Sequence, residues 1–128
     1  MSKFVVTSYG NKKEILKFPD HYVALAVMVD DTGITAVDGK KIVPAGTIVG
    51  NDILTDETKL AKKAVTTPGT EGAPDTTNAE GVLLNDVDVT HGPAQGAMVI
   101  HGFIKLSALP TAPTAEEKAA LKQITFIA

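Results

Sequence analysis

The alternation of hydrophobic and polar positions predicts a chain built mainly of short β-strands. Between Gly81 and Leu109 the pattern indicates two strands, Val82–Val89 and Ala97–Leu106, and the intervening turn Thr90–Gly96 contains two Gly and one Pro. The apolar face of the first strand switches sides along its length, as a β-bulge would cause. This stretch is therefore the predicted centre of the fold.

The second strand of this pair alternates between a predicted core face and a mixed face. Gly102 interrupts the core face, which indicates a bend, a bulge or a close backbone approach. The core face holds Met98, Ile100, Ile104 and Leu106, and the mixed face holds Val99, His101, Phe103 and Lys105.

Upstream, Asp20–Gly50 predicts a meander of short strands. Tyr22–Val29 is continuously apolar and too short for most helices, so we expect a strand buried on both faces. The dipeptide Asp38-Gly39 is typical of a two-residue hairpin turn. Pro44 cannot donate a ladder hydrogen bond, so we expect it at an edge or a corner.

The middle of the chain is less regular. Asn51–Val65 fits either two helical turns, with acids preceding bases, or a loop and a strand. Thr66–Glu80 is rich in Thr, Pro and Gly and predicts a long surface loop.

Near the C-terminus, Thr114 and Glu117 have the spacing of a capping box, which predicts a helix over Ala115–Lys122. Ile124–Ile127 predicts a closing strand. The fold class expected is mainly β: a small β-barrel or sandwich-like domain of short antiparallel strands, with one short C-terminal helix and an extended N-terminal arm.

The first residues, 1–21, are predicted to form that arm, with the β-rich domain spanning 22–128. Two interpretations are open: a frayed terminus with an edge strand, or an arm that adds a strand to a partner's sheet. On the second interpretation, deleting residues 1–16 should leave the domain folded. The candidate contact residues of the arm are Phe4, Val5, Val6, Tyr9, Ile15 and Leu16.

Composition narrows the classes of function. A chain of 128 residues is expected to form one domain with a modest core, and its net charge of -3 offers no basic surface for nucleic acid. The lack of cysteine excludes disulfides and thiolate chemistry. We expect neither a signal peptide nor a membrane helix, which needs an apolar run of roughly 18 residues.

The search for chemistry is negative. Asp86, Asp88, His91 and His101 are the only cluster to consider as a metal site, but they lack a recognised ligand spacing. No nucleophile elbow or phosphate-binding loop occurs. We therefore expect no catalytic residue, no metal and no cofactor.

Two segments resemble the head decoration or head fibre proteins of tailed bacteriophages. The resemblance lies in the order and content of short motifs. These are Gly81-Val82-Leu83-Leu84, Asp86-Val87-Asp88-Val89, the turn to Gly96-Ala97, His101-Gly102-Phe103-Ile104 and, upstream, Lys41–Thr47.

The resemblance implies a β-rich protein that binds the outside of a capsid as a trimer, at three-fold and quasi-three-fold positions. Its partners would be the major capsid protein and its own copies, with no nucleic acid and no membrane. It would be made in the host bacterial cytoplasm and reside on the capsid exterior, with the N-terminal arm joining a capsid sheet. We expect the mixed face Val99, His101, Phe103 and Lys105 to pack between protomers.

Three other functions compete with capsid decoration. A head-fibre base or another virion component is one, although no fibre-like or coiled-coil extension is evident. A ligand- or carbohydrate-binding β-module is another, but such modules usually present Trp or Tyr, and this chain has no Trp and two Tyr. An enzyme is the least favoured.

Overall fold

Short strands and one short helix make up the protein, as the sequence predicts. The structure is a computed structural model that describes residues 14–128. The mainly β fold and the short C-terminal helix are confirmed. The strands are β1 Tyr22–Val29, β2 Ile42–Val43, β3 Ile48–Gly50, β4 Lys62–Lys63, β5 Thr66–Thr67, β6 Thr76–Thr77, β7 Ala79–Leu83, β8 Val87–Asp88, β9 Ala94–Lys105 and β10 Ile124–Ile127; the helices are a 3₁₀ turn, Leu106–Ala108, and α1, Ala115–Ala120.

The long strand β9 organises the main sheet. That sheet has the order β1-β9-β7-β3-β4, with β10 pairing with β9 in parallel and all other pairs antiparallel. Two small sheets, β2-β8 and β5-β6, complete the architecture. A single bridge links Val29 at the end of β1 to Ala61 just before β4. No closed barrel is found among the described residues.

Hydrophobic side chains pack on both faces of the main sheet. Neighbouring residues of one strand, such as Val82 and Leu83 or Val99 and Met98, belong to different core clusters because side chains alternate across a strand. Leu121, just after α1, covers one face, and the β2-β8 pair covers the other. These layers are consistent with the sandwich-like alternative.

Strand β1 differs from its prediction. It was expected to be buried on both faces, but only Val27 and Val29 are buried, whereas Val23, Leu25 and Met28 are exposed. The reason is its position at the end of the sheet formed by the described residues, where it pairs with β9 on one side. Continuous hydrophobicity here marks an exposed edge strand.

The predicted bulge lies in β9 and not in the Val82–Val89 segment. That segment is instead divided between β7 and β8, which belong to different sheets. In β9 the register with β1 shifts so that Val23 pairs with His101 and Ala24 with Val99. The extra residue changes which side chains share a face, so Val99 and Ile104 lie in the same cluster.

Gly102 marks a close backbone approach, one of the three possibilities that the sequence predicted. Its φ is +152°, and a Cβ atom there would lie 3.2 Å from Cβ of Tyr22 and 3.3 Å from O of His21. The neighbour is therefore the start of β1 and not a packed core side chain.

Several local predictions are confirmed. Asp38 and Gly39 have φ of 52° and 78° and form the expected two-residue turn. Pro44 lies at the corner between β2 and β3. The side chain of Thr114 accepts from the backbone N of Glu117, and the Glu117 side chain accepts from the backbone N of Thr114, which completes the capping box.

The middle of the chain contains no helix, and it contains more strand than was expected for Thr66–Glu80. The segment Asn51–Val65 forms turns followed by β4, so its loop-and-strand alternative is the correct one. Thr66–Glu80 contains the short β5-β6 hairpin and the first residues of β7 in place of an uninterrupted loop.

Candidate interaction surface

The first described residues belong to the core and not to an arm. Ile15 and Leu16 are 0% and 2% exposed, and Leu16 forms a bridge with Ile104 of β9. The backbone N of Lys105 donates to O of Ile15 at 2.8 Å, and the N of Lys17 donates to O of Phe103 at 2.8 Å. The predicted boundary at residue 22 is therefore too late, because this segment already pairs with β9.

This placement changes the predicted capsid contacts. Ile15 and Leu16 are not available to join a partner's sheet while the domain is folded. The other predicted arm residues, Phe4, Val5, Val6 and Tyr9, lie outside the described residues.

The predicted protomer face is only partly accessible. Val99 is fully buried in the first core cluster, so its assignment to an outer face is corrected. His101, Phe103 and Lys105 are half-buried. The segment preceding β1 packs beside them: the ring of Phe18 meets the ring of Phe103 edge-on, with centroids 5.3 Å apart.

Next to this face, β1 and the turn before it expose a group of large apolar side chains that we call the edge patch. Its exposed fractions lie between 38% and 50%, which is unusual for hydrophobic residues so close together in the chain. The edge patch consists of Phe18, Tyr22, Val23, Leu25 and Met28.

Side chains alternate across β1, so the edge patch lies on both faces of this strand, with Val23 and Leu25 on one face and Tyr22 and Met28 on the other. Within residues 14–128, β1 pairs with β9 along one side, and the pairing on its other side is the bridge from Val29 to Ala61. Edge strands that combine free backbone groups with apolar side chains are favourable sites for association.

A buried carboxylate marks the end of β1. Asp30 is 6% exposed, and one of its oxygens accepts from the N of Thr32 at 3.1 Å and from the Oγ1 of Thr32 at 3.0 Å. Burial is the largest influence and raises the pKa of Asp30, but the hydrogen bonds from Thr32 and the charge of Lys62 together hold that pKa below its usual value. Asp30 therefore favours its charged form.

Two histidines meet beside the edge patch. The Nε2 atoms of His21 and His101 lie 3.2 Å apart, and Nδ1 of His101 lies 3.1 Å from O of Gln123. His21 was not among the residues considered from the sequence, because 80 positions separate it from His101 and no motif links them.

The cluster considered as a metal site from the sequence is not assembled. Asp86 accepts from the N of Ala45 at 2.7 Å, and Asp88 accepts from the N and Oγ1 of Thr90. The Thr90 hydrogen bonds hold the pKa of Asp88 below its usual value. Across residues 14–128, no group of three metal-ligating side chains converges.

A cleft of about 460 Å³ opens between the β2-β3 corner and the segment before α1. Its lining is aliphatic and threonine-rich, with Ile34, Ile48 and Thr66 among the contributing residues. Its charged lining residues are Lys63 and Glu117, and Glu117 is already engaged in the capping box. The lining offers no aromatic platform of the kind that sugar-binding modules use.

None of the helices described for residues 14–128 has the length and hydrophobicity needed to cross a membrane.

Comparisons with known proteins give no match that could guide the interpretation of this surface. No family model matches the chain. No curated protein and no solved structure matches it either.

Proposed function

We propose that this protein is a structural component of a bacteriophage virion. It binds the outer surface of the capsid, as a trimer at three-fold and quasi-three-fold positions, and stabilises the shell. Two sequence segments that resemble head decoration proteins support the proposal, as does the mainly β fold. The observation that carries it is the edge patch, because a working monomer has no evident reason to expose so many large apolar side chains on a strand that, within residues 14–128, lies at the edge of the sheet.

In this proposal the edge patch is the contact between protomers. The edge patch adjoins His101 and Phe103, which belong to the face expected to lie between protomers. Its residue Phe18 covers part of that face by packing against Phe103. We therefore assign the contact between protomers to the neighbouring strand β1 and no longer to Val99, which is buried.

The capsid contact is assigned to the arm residues Phe4, Val5, Val6 and Tyr9. An extended segment can add a strand to an exposed sheet edge, where backbone hydrogen bonds supply affinity. Three arms presented by one trimer would engage in succession, and such avidity exceeds a single affinity by about 10²–10⁴. The partners are thus the major capsid protein and two further copies of this chain.

Co-sedimentation with purified capsids tests the proposal. The full chain should sediment with the capsids, and deletion of residues 1–13 should abolish most binding while keeping Ile15 and Leu16 in the core. Val23→Lys should weaken binding by loss of avidity, because it places a charge in the edge patch. Val37→Lys is the matched control, since Val37 is 69% exposed and lies outside the patch.

Imaging of decorated capsids supplies the second test. Density should show trimers centred on three-fold or local three-fold axes, with β1 at the contact between protomers. Isolated monomers, or copies confined to five-fold or hexamer-centre positions, would contradict the trimer. Density on the tail would instead assign the chain to another part of the virion.

A further inference from the structure

The facing histidines have the geometry of two ligands to one ion. Their Nε2 atoms lie 3.2 Å apart. Two nitrogens bound tetrahedrally at about 2.0–2.1 Å from one zinc ion are separated by about 3.3 Å. The distance between the two nitrogens is therefore already close to that of two ligands on a shared metal.

The hydrogen bond of His101 selects the tautomer whose Nε2 can bind a metal. Its Nδ1 lies 3.1 Å from O of Gln123, and a carbonyl oxygen can only accept, so Nδ1 carries the hydrogen. The lone pair of the neutral ring is then on Nε2, which faces His21. A backbone carbonyl that fixes the outer nitrogen of a ligand histidine is the usual arrangement around protein metal sites.

The His21 ring also packs against the ring of Phe103. The His21 ring lies with its centroid 5.1 Å from that of His101 and 5.7 Å from that of Phe103. His21 is exposed and His101 is half-buried, so one side of the pair opens to solvent. Water can therefore complete the coordination of an ion held by two imidazoles.

We propose that His21 and His101 form a binding site for a late first-row transition metal ion, with Zn²⁺, Ni²⁺ and Cu²⁺ as the chemical class. Imidazole nitrogen suits these ions, and affinity is expected to be highest for Cu²⁺. The pair differs from the cluster that the sequence suggested, because it uses His101 with a residue from the other end of the chain. The site does not depend on the proposed capsid function.

The ion would tie together three parts of the fold. His21 lies in the turn before β1, His101 lies in β9, and Gln123 immediately precedes β10. A bound ion would thus fasten the start of the edge strand to the centre of the sheet. It would stabilise the native state because the unfolded chain does not hold the two rings together.

The chain offers a matched control, since its third histidine, His91, lies exposed in a turn outside the pair. The untagged full chain and the variants His21→Gln, His101→Gln and His91→Gln are titrated with Zn²⁺ and with Cu²⁺ at about pH 8, where imidazole is neutral. Calorimetry measures the stoichiometry and affinity, and thermal denaturation measures the midpoint with and without saturating ion.

We expect one ion per chain and a rise in the melting midpoint of about 3 °C or more for the unsubstituted protein and for His91→Gln. His21→Gln and His101→Gln should each lower affinity by at least about 10-fold, because removing a ligand costs no less than removing an outer-shell partner. Circular dichroism is used to check that each variant folds. If His101→Gln does not fold, the affinity of His21→Gln decides whether the pair binds the ion.

Absence of binding by the unsubstituted protein would overturn the proposal and leave the pair as a simple imidazole hydrogen bond. Equal loss of affinity in His91→Gln, or unchanged affinity in His21→Gln, would overturn it as well, since the ion would then be bound elsewhere.

Discussion

Replacement of Leu16 by Ala tests whether the domain begins before β1. Leu16 is 2% exposed and forms a bridge with Ile104, which is itself fully buried. If residues 14–17 are an integral part of the sheet, truncating this side chain should destabilise the protein as a core substitution does. If they belong to a loosely attached arm, the effect should be small.

The magnitude follows from the burial. Removing three carbons from a buried side chain costs about 2–3 kcal/mol in transfer free energy, at about 0.8 kcal/mol for each methylene group. The cavity left behind raises the total to about 3–5 kcal/mol, because the surrounding structure relaxes only in part. That is a large share of the free energy of unfolding of a small domain, about 5–15 kcal/mol.

Urea denaturation followed by circular dichroism measures this change. Since the slope for a small protein is about 1–3 kcal/mol per molar urea, a loss of about 3–5 kcal/mol should lower the midpoint by about 1–5 M. Leu54→Ala is the control: Leu54 is 54% exposed, so its truncation should change the free energy of unfolding by less than about 0.5 kcal/mol.

A deletion extends the test. Removing residues 1–16 should destabilise the domain strongly, because it removes Ile15, Leu16 and the hydrogen bond from the N of Lys105 to O of Ile15. This replaces the expectation from the sequence that the same deletion leaves the domain intact. Equal midpoints for Leu16→Ala and Leu54→Ala, or a fully stable protein lacking residues 1–16, would refute the reasoning.

Three further predictions concern single sites. Gly102→Val should lower the free energy of unfolding, measured by urea denaturation, by roughly 1–3 kcal/mol, because the φ of +152° and the nearby Tyr22 and His21 disfavour a branched side chain. A neutral effect would show that β9 and the start of β1 separate easily. Because the pKa of Asp30 is lowered in the folded protein, its charged form, bound by Thr32, adds stability that is fully present above the ordinary pKa of an aspartate and is lost as pH falls through the lower folded pKa. Asp30→Asn should remove that part of the acid dependence of stability, and an unchanged pH profile would contradict this reasoning. Thr114→Ala should cost about 0.5–2 kcal/mol by breaking the capping box with Glu117, which thermal denaturation measures against the unsubstituted chain.

The elements that the sequence predicted well are those determined by residues close together in the chain. The turn at Asp38-Gly39 depends on two residues that tolerate positive φ, and the start of α1 depends on a side chain and a backbone group three positions apart. The alternation of apolar residues likewise predicted a mainly β fold and the approximate location of β9. None of these depends on which strands become neighbours.

What the sequence left undecided, or predicted wrongly, depends on sheet neighbours. Tyr22–Val29 has the composition of a central strand, yet its position at the end of the sheet leaves it exposed. Val99 was assigned to the wrong face because the bulge in β9 is defined only by its register with β1. Periodicity along one strand cannot report these relations, since they are set by a different part of the chain.

The candidate sites show the same division. From the sequence, the edge-patch residues of Tyr22–Val29 were predicted to be buried and Phe18 was placed in the arm. The sequence also singled out His101 but not its partner. Only the tertiary structure placed His21 against it, because the segment before β1 pairs with the far end of β9 and carries that side chain across 80 positions of sequence. Contacts of this kind arise from long-range strand pairing, which no local pattern of residues encodes.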